Sequence, residues 1–336
     1  MNNEDNFLDI HKRAIIIDAA CPLGNIENNF NRWITGGVTV MAPTVASDHG
    51  ITETMQNIGR WLRLIENNED KLKLVTSVDD IYKAKKQNKL GILFHFQDTL
   101  PLESKIELLS AYRNLGVRVI QLCYNVKNFI GDGCEERTDS GLSDFGIQVI
   151  KEMNRLGILV DLTHAGYQTS LEAMQISEKP VIFSHSNVYN LCPSSRNIRD
   201  EQIKCLADKG GVIGVVGYPA FVKNKTKVTL DDLIDHIDYI RDLVGIEHVG
   251  LGIDYWEGMD GIASIEEAHK LYNDLISLGR WKKESYPEPP WTFPQGIETP
   301  EKFPNLTRAL LRRGYSETEI ELILGKNYLR VYNKVW

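Results

Sequence analysis

Three histidines and an aspartate occupy comparable places in this chain, each at or just after a short aliphatic or β-branched run. His95 and Gln97 end the run Gly91–Phe96, His164 follows Ile158–Leu162, His185 follows Val181–Ser184, and Asp254 follows Val249–Ile253. Imidazole and carboxylate are the ligand types of a zinc-class centre, and the same groups act as general acids and bases. A single histidine after a strand is more often a hydrogen-bonded structural residue than a ligand. That reading holds for His95. For His164 and His185, at the ends of successive runs, the ligand reading is stronger. Tyr124 and Asn125 after Val117–Cys123, and Arg196 further on, add hydrogen-bonding groups. Cys134, whose one basic neighbour is Arg137, reads as structural.

These residues need a scaffold that gathers them at one place. Eight candidate strands can be read: Ala14–Ile17, Val38–Met41, Gly91–Phe96, Val117–Cys123, Ile158–Leu162, Val181–Ser184, Val212–Val216 and Val249–Ile253. Segments of helical period lie between them, among them Phe145–Leu156, Glu201–Ala207 and Leu230–Val244, with Gly157 and Gly210 where helix C-caps belong. Eight strands alternating with helices predict an α/β fold, a (β/α)8 TIM barrel, whose active sites lie at the C-terminal ends of the strands. An open doubly wound sheet is disfavoured because no Gly-rich phosphate loop follows a strand; Gly210–Gly217 is a strand containing glycines. One domain over 1–336 is expected, with helices in 305–336 completing it and Pro287–Pro294 forming an ordered excursion.

Composition narrows the partners. The 336 residues are 42% hydrophobic and 25% charged, with net charge −8 and no run of five like charges. Nucleic acid and anionic membrane surfaces are therefore excluded as expected partners. The polar start MNNEDNFLDI lacks a signal core, and the five cysteines contain no CxxC pair, which suits a reducing cytoplasm. A small-molecule substrate is expected, handled by a monomer or a homodimer.

The segments GIQVIKEMNRLGILVDLTH (Gly146–His164), KPVIFSHSN (Lys179–Asn187), LADKGGVIGV (Leu206–Val215), GLGIDY (Gly250–Tyr255) and Phe303–Tyr332 resemble the membrane (renal) dipeptidase family, peptidase family M19. The likeness runs in order through nearly the whole chain. It implies a TIM barrel of the amidohydrolase type and hydrolysis of dipeptides with two zinc ions. Carried over by position, His164 and His185 match the histidines of the second zinc. Asp254 matches the aspartate near the activated water, and Arg196 the arginine that grips the substrate carboxylate. Four other positions depart. Ala20 and Pro22 stand where the family has the first-strand His-x-Asp, Gln97 replaces the bridging glutamate, and Tyr124 replaces a catalytic histidine. HFQDT (His95–Thr99), YNVKN (Tyr124–Asn128) and Gly131–Gly146 resemble a divergent bacterial branch.

Charge arithmetic follows from those departures. Two zinc ions carry +4, and the groups kept here offset about half of it, which suits a single ion. The expectation is a dipeptidase-like metallohydrolase of a dipeptide or small carboxylated amide. It would use at most one divalent ion, Zn²⁺ by its donors, on His164 and His185, with His95, Gln97 or Asp254 as further ligands. Asp254 would move the proton, Arg196, Tyr124 and Asn125 would hold the substrate, and Tyr124 would polarise the oxyanion. The alternatives are a metal-free enzyme working through His185, Tyr124 and Asp254, or a pseudoenzyme that binds a carboxylated ligand without turnover.

Overall fold

The computed structural model describes residues 6–22, 29–47, 49–224, 227–256, 258–259 and 263–336. Its strands are β1 (Ile17–Cys21), β2 (Val40–Ala46), β3 (Leu72–Leu74), β4 (Leu90–Ile92), β5 (Phe94–Phe96), β6 (Val117–Gln121), β7 (Leu159–Asp161), β8 (Ile182–Phe183), β9 (Val212–Val215) and β10 (Val249–Leu251). Every neighbouring pair is parallel. The ladder runs β10-β9-β8-β7-β6-β5-β2, with β1 on the far side of β2. It closes where the Asp254 N–H donates to Ala20 O at 3.1 Å. β4 and β5 form one stave interrupted at Leu93, so the closed sheet has the eight staves of a (β/α)8 barrel, and β3 is an extra edge strand on β4.

The inside of the barrel changes character along its length. Ile17, Val40, Leu93, Val119, Leu159, Ile182 and Val212 form one buried cluster with Tyr328 and Tyr332 of the C-terminal helix Asn327–Val335. That helix plugs one end. Two residues further along a strand the side chain returns to the same face. There the sequence turns polar: His95 follows Leu93, Gln121 follows Val119, Asp161 follows Leu159 and Ser184 follows Ile182, all buried. The apolar layer seals the barrel, and the polar layer forms the floor of a site at the strands' C-terminal ends.

Most predicted elements recur with small shifts. The helix over Leu230–Val244 has those bounds, and the helix over Asp144–Leu156 ends at Gly157 with φ +68°. Gly210, at φ +71°, follows the helix Asp200–Asp208. Both glycines sit in the left-handed region that a side chain disfavours. The first strand is a correction. It runs over Ile17–Cys21, not Ala14–Ile17, because the helix Phe7–Arg13 occupies the approach. Asp18 disguised it, yet its carboxylate is buried and accepts from Trp33 Nε1 at 2.9 Å and from Ile253 N at 2.9 Å. Pro287–Pro294 is an excursion that buries Trp291 and Phe293. Among the described residues no helix is long and apolar enough to cross a membrane.

Candidate active site

His164 and His185 meet at the barrel mouth with their Nε2 atoms 3.0 Å apart. Their other nitrogens decide what that contact is. Asn125 Nδ2 donates to Arg280 O at 2.9 Å and to Tyr286 Oη at 3.0 Å, which turns Asn125 Oδ1 toward His164 Nδ1 at 2.6 Å. An amide oxygen only accepts, so His164 Nδ1 carries the proton. Ser184 Oγ donates to Asp161 Oδ2 at 2.5 Å and so accepts from His185 Nδ1 at 2.7 Å. His185 Nδ1 is protonated as well. Burial first, then the charge of Arg196, pushes both imidazoles well below their ordinary pKa, so both are neutral. Two Nε2 lone pairs therefore face each other.

Facing lone pairs repel unless a cation lies between them, and fixed Nδ1–H donors of this kind orient imidazoles toward a metal. Two nitrogens at 2.0–2.1 Å from a tetrahedral ion stand about 3.3 Å apart, close to the spacing present here. The pair fits one divalent ion. Among the described residues no group of three His, Cys, Asp or Glu side chains is assembled as a metal cluster.

The remaining residues of interest lie around this pair. Asp161 is fully buried; burial alone would raise its carboxyl, but hydrogen bonds from His95 and Ser184 hold it below the usual range. His95 donates through Nε2 to Asp161 at 3.0 Å, and its Nδ1 has no partner. Gln97 Nε2, Thr44 Oγ1 and Asp254 Oδ1 are likewise buried without partners. Burial lifts the Asp254 carboxyl to about 8, against the opposing charge of Arg196. Asn125 takes a different place from the one expected. It is fully buried, and its amide holds His164, Tyr286 and the Arg280 carbonyl, so it positions an imidazole and does not reach a substrate.

A cavity of about 370 Å³ opens above, lined by Gln97, Tyr124, His164, Arg196 and Asp254 among others. Arg196 is 2% exposed, its Nη2 donates to His185 O at 3.3 Å, its Nε has no partner, and among the described residues it forms no ion pair. A buried guanidinium without a carboxylate is a receptor for one. The Tyr124 ring stacks on His164 at 4.2 Å, and its Oη accepts from Trp281 Nε1 at 3.0 Å. Asn125, His164 and Asp254 all have positive φ, at +60°, +66° and +68°. Strained backbone held at three strand ends is the local signature of a functional site.

Sequence reasoning missed the upper walls. Glu53, Asn57 and Arg60 of the helix Ile51–Asn67, Leu271 and Leu275 of the helix Ile265–Ser277, and Trp281 all line the cavity. The i, i+4 spacing of Leu271 and Leu275 was the available signal, but neither helix carries a residue type that marks chemistry.

Comparison with known proteins agrees with this architecture. Residues 28–286 and 287–336 match the membrane dipeptidase family, peptidase family M19. An uncharacterized dipeptidase of Schizosaccharomyces pombe is 34% identical over 84% of this chain. The chain spans 62% of that protein's length, and 60% and 61% of the dipeptidases of Claviceps purpurea and Aspergillus oryzae. The crystal structure of an amidohydrolase from Pseudomonas aeruginosa superposes with a TM-score of 0.89 at 35% identity, covering 98% of this chain and 99% of that one. A probable dipeptidase from the same organism shares the fold at a TM-score of 0.84 and 18% identity, covering 99% and 98%. The chain belongs to the membrane dipeptidase family, peptidase family M19.

Proposed function

We propose that the protein hydrolyses a dipeptide or a similarly small carboxylated amide, using at most one divalent ion held by His164 and His185. The observation that carries this reading is the pair of facing imidazole lone pairs beside a cavity that contains an unpaired buried guanidinium. Bound at the pair, a divalent ion would supply the Lewis acidity that makes water a nucleophile near neutral pH. Arg196 takes the substrate carboxylate through a two-pronged hydrogen bond. Asp254, with a carboxyl lifted to about 8 by burial, accepts a proton from the attacking water and returns it to the leaving amine. Tyr124, fixed by Trp281 and by stacking on His164, gives its O–H to the developing oxyanion. Ala20, Pro22 and Gln97 offer no anionic ligand for a second ion.

Two measurements test the reading. Metal analysis of protein made without chelators or a histidine tag should find no more than one zinc-class ion per chain, and two at full occupancy would overturn it. Arg196→Ala should weaken a carboxylated ligand by roughly 30- to several-thousand-fold, the cost of unpairing a buried charge. Amidating the ligand should cost the wild type a similar factor and the variant little.

A further inference from the structure

The two long walls of the cavity differ in chemistry, and the difference begins at Arg196. Its guanidinium lies over the Phe221 ring, 5.1 Å from the centroid. From Phe221 an aromatic surface runs outward without a gap. Tyr218 lies 4.8 Å from Phe221 and Tyr286 5.3 Å, Tyr286 stacks on Trp281 at 4.2 Å, and Trp281 meets Trp256 at 5.3 Å. Leu271 and Leu275, one turn apart and half-buried, extend the same wall. Two donors on this surface, Tyr218 Oη and Trp256 Nε1, are buried without partners. The opposite wall is polar, with Glu53, Asn57 and Arg60 presented at helical spacing from Ile51–Asn67.

We infer that the residue bearing the substrate's carboxylate has a large apolar, preferably aromatic, side chain, seated on the shelf formed by Phe221, Tyr218, Tyr286, Trp281 and Trp256. The inference rests on the proposed role of Arg196 as the carboxylate receptor. A carboxylate placed on that guanidinium has its α-substituent one or two bonds from the aromatic surface, and an aromatic ring buries most area against aromatic neighbours. The unpaired Tyr218 O–H and Trp256 N–H face a ring whose π surface accepts weakly. The acyl part of the substrate then extends toward the polar helix, where Glu53 suits a free amino group.

Protein supplied with Zn²⁺ is assayed with alanyl-phenylalanine, alanyl-alanine and alanyl-aspartate, and its binding of N-acetylphenylalanine and N-acetylalanine is followed by calorimetry. Phenylalanine should exceed alanine by about 10- to 100-fold in kcat/KM and in affinity, the effect of burying one large apolar side chain. Leu275→Asp, and the milder Leu275→Gln, should cut that preference by about tenfold and about threefold, respectively. Equal use of the three dipeptides, or preference for aspartate, overturns the inference. Selective binding of N-acetylphenylalanine by a protein that cleaves no dipeptide sustains the shelf and removes the hydrolase reading. Binding of neither ligand removes both.

Discussion

The imidazole pair and the barrel wall across from it are built on opposite terms. Around His164 and His185, Asn125, Asp161 and Ser184 each make directed hydrogen bonds that fix ring orientation and proton position. Across the mouth, Thr44 Oγ1, Gln97 Nε2 and Asp254 Oδ1 are buried and unpaired, next to the positions where Ala20 and Pro22 replace ligands. An unpaired buried polar atom costs on the order of 1–3 kcal/mol, so that side is completed by solvent or ligand, whereas the imidazole side is completed by the protein. The chain keeps one preorganised half of a centre and has lost the other.

The sharpest way to break this contrast is to exchange the two halves. His164→Ala and His185→Ala should each lower zinc affinity by at least about a thousandfold while the fold survives, because two protein donors carry the site. Ala20→His with Pro22→Asp and Gln97→Glu should add a second ion. Titration calorimetry and circular dichroism read both outcomes; retained zinc in either alanine variant removes that residue from the site.

A smaller effect tests what full satisfaction does to a buried imidazole elsewhere. His236 donates through Nε2 to Val222 O at 2.8 Å and accepts from Val188 N at 3.1 Å, and burial pushes its pKa down to about 4. The folded value lies below the unfolded one, so the unfolded chain takes up protons first. Its contribution to stability, present above pH 6.5, is lost as pH falls toward 4, on the order of 3 kcal/mol in total. Urea titrations at pH 7 and pH 4.5 should show that loss, and His236→Gln should flatten it. A slope unchanged by the substitution would mean that other groups carry the acid response.

Smallest is the effect of the supporting residues. Asn125→Ala or Ser184→Ala leaves both imidazoles in place but frees a ring and its tautomer, which should cost about 10- to 100-fold in zinc affinity. A loss as large as that of His164→Ala would mean that the barrel mouth had collapsed.

The order of strands and helices was legible because each stave is a short apolar run, and because Gly157 and Gly210 punctuate the helices as their backbone requires. β1 was misplaced by three residues because Asp18 looks like a loop residue until Trp33 and Ile253 are folded against it. His164, His185, Arg196 and Asp254 were legible from strand ends and resemblance. Asn125 was found but given the wrong neighbour, since only the fold brings Tyr286 and the Arg280 carbonyl to its amide. The aromatic shelf was out of reach. Its rings come from segments as far apart as Tyr218 and Tyr286, and no local spacing links them.

The three left-handed residues at the strand ends bear on what disuse would do to this sequence. A side chain in that conformation costs roughly 1–2 kcal/mol relative to glycine. Asparagine pays least, whereas His164 and Asp254, at φ +66° and +68°, carry the cost in full. A barrel released from chemistry would drift at these two positions toward glycine and melt at a higher temperature for it. His164→Gly and Asp254→Gly are therefore the substitutions that separate thermal resilience from turnover, and the retention of histidine and aspartate there argues that this barrel still works.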